Sequence, residues 1–93
     1  MSFTKESAVS MAKSDLAKRL ALDELAIQVV SVEDKDFPNA SLGAPVEGEM
    51  SSMMIVSGWQ IILGADHDTY EYRADTYQLR LVNFNGENII VAS

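Results

Sequence analysis

Cysteine is absent from this 93-residue chain, which removes disulfides, thiolate nucleophiles and cysteine-based metal sites together. A domain of this length without cross-links is held by packing alone, which is compatible with a reducing compartment. Histidine occurs once, at His67 between Asp66 and Asp68, where a solvated turn residue is expected. Long apolar runs are lacking too. Lys5, Glu6, Lys13 and Asp15 break up residues 1–19, so that stretch has no secretory-signal core, and nothing later approaches the ~20 residues of a membrane span. The chain as written is expected to be cytoplasmic, or exported if a leader preceded it.

Positive charge is scarce beyond the first element. Residues 1–19 carry Lys5, Lys13, Lys18 and Arg19 against Glu6 and Asp15, whereas the rest carries only Lys35, Arg73 and Arg80 against twelve acids. A region of that sign repels phosphate backbones, so nucleic acid is not expected as a partner, and with no long apolar run neither is a membrane.

What is present suffices for one core: 47% of the residues are hydrophobic, and residues 1–93 read as a single α+β domain. Val9, Ala12, Leu16 and Leu20 recur at helical spacing, predicting a helix from Thr4 to Ala21. Thr4 suits its N-cap, and Asp15 with Arg19 forms an i,i+4 acid-before-base pair. Leu22–Leu25 is a connector. Ala26–Val32 reads as a strand with imperfect alternation, through two covered faces or a bulge, and Glu33–Asp36 as its exit to solvent.

Phe37–Gly48 follows, a long irregular stretch punctuated by Pro38, Asn39, Gly43, Pro45 and Gly48, with Phe37 and Leu42 as core anchors. Beyond it the alternation predicts a meander. Met50–Val56 is read as a strand with Met50, Met53 and Met54 as core filler, and Ser57-Gly58 as a turn. Trp59, Ile61 and Leu63 share one strand face, with Trp59 a core anchor. Ala65–Asp68 turns, Tyr70 and Tyr72 share a face of the next strand, and Glu71 and Arg73 form a solvent-side pair on its other face. Ala74–Thr76 turns again, Tyr77, Leu79 and Leu81 alternate, and Asn85-Gly86 closes a hairpin into Asn88–Ala92. One N-terminal helix packed on an antiparallel meander of about five to six strands is the expected architecture.

No catalytic constellation accompanies it. Ser51, Ser52 and Ser57 lack the surroundings of an activated nucleophile. Asp66, His67, Asp68 and Asp75 match no calcium or zinc spacing, and aspartates are favoured in turns for their own backbone bonds. The five glycines are scattered and form no phosphate loop. No enzyme activity, metal or cofactor is expected.

The segments SDLAKRLAL, IQVVSVEDKDFPNASLGAP, GWQIIL and TYEYRAD resemble a small uncharacterised bacterial domain family. Its members show a DLA-x-RL helix, a WPDxSLGCP-like loop, a G-Y-x-I-x-L strand and a YEYH or YEYR strand. The resemblance spans residues 14–75 and is sharpest over Pro38–Gly43 with Pro45. Phe37 stands where the family has tryptophan, and Ala44 where it has cysteine; a second family cysteine falls near Ala92. If those cysteines are bridged in relatives, this chain lacks both ends. The resemblance implies no activity. The order of helix and hairpins is also similar, as a fold analogy alone, to PepSY domains and small protease inhibitors.

Loop and resemblance both select Phe37, Pro38, Asn39, Ser41, Leu42 and Pro45 as candidate binding residues. The expected role is a non-enzymatic binding or protein-interaction module. The alternatives are a protease inhibitor presenting the same loop and a homo-oligomer formed through an open sheet edge.

Overall fold

The computed structural model describes residues 2–93. Helix α1 spans Lys5–Leu20 and opens with a reciprocal cap: Ser7 N–H donates to Thr4 Oγ1 (3.1 Å) and Thr4 N–H to Ser7 Oγ (2.9 Å). These bonds satisfy amides that the helix itself leaves unpaired. At the other end Ala21 adopts a left-handed conformation (φ 56°), and Leu22 N–H returns to the Ala17 carbonyl. The fully buried residues of α1 are Ala8, Ala12, Leu16 and Ala17, with Val9 and Leu20 half-buried beside them. The stripe is therefore rotated toward alanines, which let the helix lie close to the sheet.

A 3-10 turn at Glu24–Ala26 leads into β1 (Gln28–Phe37), followed by β2 (Val56–Ala65), β3 (Asp68–Ala74), β4 (Leu79–Phe84) and β5 (Glu87–Ala92). The strands pair in sequence order as one antiparallel meander. Period-2 alternation sends Ile61, Leu63 and Ala65 of β2, Tyr72 and Ala74 of β3, and Leu79 and Leu81 of β4 into one core with α1, Phe3 and Ile27. Tyr72 Oη donates to Asp15 Oδ2 at 2.8 Å, and Arg19 Nε reaches the same oxygen at 2.7 Å. The expected helical ion pair thus also fastens α1 to the sheet.

Several expectations need correcting. β1 does not end at Val32: Glu33, Asp34, Lys35 and Asp36 stay paired with Gln60, Trp59, Gly58 and Ser57. An edge strand keeps its side chains in water, so charge is no obstacle there. The imperfect alternation before them is a bulge, between Val29 and Ser31. Met50–Ile55 form no strand; the Ser52 carbonyl accepts from Ala40 N–H and Met54 N–H instead of joining a ladder. Ser57-Gly58 is no turn but lies inside β2, where a Cβ on Gly58 would stand 2.1 Å from the Ala74 carbonyl oxygen. The methionines are not core: Met50 is 97% exposed, Met53 87% and Met54 56%, with Ile55 at 74%. Trp59 is half-buried against the helix-side core. The Asn85-Gly86 hairpin is as expected, with φ of 52° and 84°, and Asp66-His67 makes the other two-residue turn at φ 50° and 69°.

Candidate functional site

The sheet face opposite α1 is closed by residues 38–55, which fold over it as a cover. Phe37, Ser41, Leu42 and Ala44 are buried beneath. Asn39 shapes the cover from within, its Oδ1 accepting Ser41 N–H and Gly43 N–H, both at 3.0 Å. This turn forces Leu42 and Gly43 to positive φ (57° and 66°). Glycine suits the positive φ at the second position, and a Cβ there would sit 2.8 Å from an Arg73 nitrogen and displace that guanidinium.

Two arginines on the sheet hold the cover down. Arg73 of β3 donates to the Leu42 carbonyl at 2.9 Å, and its guanidinium lies 5.4 Å from the Phe37 ring centre. Its Nε meets Glu71 at 2.6 Å, and Gln60 Nε2 donates to the same carboxylate at 2.8 Å. Burial pushes the Glu71 carboxyl up, but these two donors outweigh it and hold the group below its usual range. The Glu71–Arg73 pair is thus present and half-buried, with Arg73 also bonded to the cover.

Arg80 of β4 is only 4% exposed. Its guanidinium grips Glu49 with two bonds (2.5 and 2.6 Å) and donates to the Ala44 carbonyl at 3.0 Å and Gln78 Oε1 at 2.7 Å. A buried cation persists only when paired in this way. Arg80 holds the Glu49 carboxyl at about 2, with the Val46 amide helping. Gln78 Nε2 donates to the Ala40 carbonyl at 2.7 Å and Asn88 Nδ2 to the Pro45 carbonyl at 2.9 Å. Ser41 Oγ and Ser51 Oγ meet inside the cover. Carbonyls along the cover are therefore read by side chains of β3, the β3–β4 turn, β4 and β5.

The candidate residues divide by this geometry. Phe37, Ser41 and Leu42 point inward, Asn39 is half-buried and spent on its own loop, and Pro38 and Pro45 are exposed. Outside Phe37–Gly48, the same cover carries Met50, Met53, Met54 and Ile55 into solvent. Arg73, Arg80, Glu49 and Gln78 were not singled out by sequence reasoning as supports of the loop. The available signal was the isolation of Arg73 and Arg80 as the only cations in strands of alternating apolar residues. His67 sits exposed in its turn. Among the described residues, no group of three or more His, Asp or Glu side chains is placed to share a metal ion.

A family model described as Domain of unknown function (DUF8738) matches residues 9–82, from α1 through the cover to β4. The chain belongs to that family. The DUF8738 match includes Asn39, Leu42, Gly43, Glu49, Arg73 and Arg80, so the whole apparatus that fastens the cover lies inside the family's span. No curated protein and no solved structure matches the chain. No helix among the described residues of this DUF8738 domain is long and apolar enough to cross a membrane.

Proposed function

We propose that this DUF8738 domain is a non-enzymatic protein-interaction module whose contact surface is the outer side of the cover. The exposure of Met50, Met53, Met54 and Ile55, four large apolar side chains within six consecutive residues, carries the reading. Contiguous exposed apolar surface of this kind marks interaction sites, and methionine adapts its shape to a partner. The cover is fixed from beneath by Arg73 and Arg80, so little backbone entropy is lost on docking. Pro38 and Pro45 are exposed on the same cover, and exposed Glu47 precedes the patch in sequence. The partner that fits is a protein presenting an apolar socket with a basic rim. In this reading Phe37, Ser41 and Leu42 shape the contact surface without touching the partner.

The test is the triple substitution Met50→Ser, Met53→Ser, Ile55→Ser, which alters exposed side chains and leaves the fold intact by circular dichroism. A partner captured by the wild-type domain is lost with this variant and retained by Lys13→Ala, Lys18→Ala on the helix. A partner held equally by all three proteins sinks the proposal.

A further inference from the structure

Strand β1 lies at one edge of the sheet and is hydrogen-bonded only to β2. Its first part is blunted by the bulge at Val30, which turns the backbone out of register. Ser31–Phe37 beyond it is regular, pairing residue for residue with Ile62–Val56. Seven residues of open ladder are therefore presented on a scaffold already in extended form.

The charges along that edge are ordered by face. Val32 pairs with Ile61 and Asp34 with Trp59, both on the helix side of the sheet, and Asp36 follows by alternation. Lys5 of α1 reaches Asp34 at 2.9 Å, which confirms the face, and both side chains remain well exposed. Asp36 accepts the Ser57 hydroxyl at 2.7 Å. On the other face Glu33 and Lys35 alternate and offset each other. The open edge thus shows two aspartates at a spacing of two on one side and mixed charge on the other.

We infer that the Ser31–Phe37 edge accepts, as a sixth strand, an extended segment of another protein carrying Lys or Arg at alternate positions. Backbone bonds supply the pairing, and cross-strand ion pairs with Asp34 and Asp36 supply the selection. A period of two is needed because adjacent cations would point to opposite faces. A second copy of this chain does not qualify. Lys35, Arg73 and Arg80 are one cation each in β1, β3 and β4, and β5 has none. Full-length pairing of β1 with itself would also set Val29 against Asp36 and Val32 against Glu33. This inference stands on the edge and its charges, independently of the cover.

Two synthetic threonine-rich peptides of equal composition test it, one with its two lysines at alternate positions and one with them adjacent, so that they point to opposite faces. Each is titrated into the isotopically labelled domain. The alternating peptide is expected to shift and protect amides confined to Ser31–Phe37. The adjacent-lysine peptide, which sets only one lysine on the Asp34–Asp36 face, binds at least about twofold more weakly, and the variant Asp34→Asn, Asp36→Asn at least about fivefold more weakly, one and two cross-strand pairs being lost. Lys35→Gln, on the other face, binds the alternating peptide no more weakly than wild type. Both aspartates are exposed, and an unchanged amide spectrum of the free variant verifies its fold. Equal binding of both peptides, shifts centred on β5, or no shifts at millimolar peptide overturns the inference, as does a dimer of the domain alone with β1 at its interface.

Discussion

Glu49 and Arg80 form the contact on which the cover most depends, because each satisfies a charge the other could not leave unpaired under a folded loop. Removing one member of a buried pair costs about 3–5 kcal/mol. Glu49 retains 23% side-chain exposure, so Glu49→Gln is expected at about 2–3 kcal/mol, read from urea unfolding at neutral pH. The pair also sets an acid limb. The folded carboxyl titrates at about 2 instead of 4.5, so its contribution is complete above roughly pH 5 and fades as pH falls toward 2. Stability measured across that window should fall in the wild type and be flatter in Glu49→Gln; equal slopes would refute the assignment.

Gly58 is the second decisive residue. Its would-be Cβ overlaps the Ala74 carbonyl at 2.1 Å, and the obstacle is backbone that cannot swing aside. Gly58→Ala should cost at least about 2 kcal/mol, despite the higher strand propensity of alanine. A thermal midpoint within a degree or two of wild type would show that the strands separate freely here. The sequence places this glycine beside a serine, which looks like a turn. Only the register of β3 against β2 shows that it marks a close approach. Arg80 was hidden for a similar reason. An arginine between Leu79 and Leu81 alternates correctly for a solvent face, and no local pattern tells that Ala44 and Glu49 lie over it.

At the scale of elements, α1 was legible because its period, its Thr4 cap and its terminal charges all agree. Its end is less well built. Ala21 occupies the left-handed position with φ 56° and ψ 43°, a conformation that opposes its Cβ and suits glycine. Its side chain is exposed, so nothing is lost by removing it. Ala21→Gly should raise stability by about 0.5–1 kcal/mol, against the usual effect of glycine in helices, and a lower midpoint would sink the argument. The hairpins were also readable where two positive-φ residues coincide, at Asn85-Gly86. Segments that failed were those whose partner is distant. Met50–Ile55 has the apolar content of a strand but joins no ladder: β2 begins pairing with β1 only at Val56, and the residues before it fold into the cover. Glu33–Asp36 has the content of a loop yet pairs fully, because an edge tolerates charge.

Across the whole molecule, one sheet carries two different coverings. Helix α1 is applied by apolar burial against Ile61, Tyr72 and Leu81, whereas residues 38–55 are applied largely by hydrogen bonds from Arg73, Gln78, Arg80 and Asn88. The same strands supply both sets, since Tyr72 and Leu79 alternate with Arg73 and Arg80 along β3 and β4. Loss of the cover would therefore expose Arg80 and the buried Phe37 on strands that still support the helix. Neither layer is stable without the shared sheet, and a domain of this size is expected to unfold in a single transition. Methyl resonances of Leu42 in the cover and Leu16 in α1 should then disappear at the same urea concentration at pH 7. Cutting the polar attachment separates them. In Arg80→Met, Glu49→Gln the buried charge is removed together with its partner, so the sheet and helix persist while the cover is held by Arg73, Gln78, Asn88 and the burial of Phe37 and Leu42. The Leu42 signal should then be lost before that of Leu16. Coincident loss in the double variant would mean that apolar burial, rather than the guanidinium contacts, fastens the cover to the sheet.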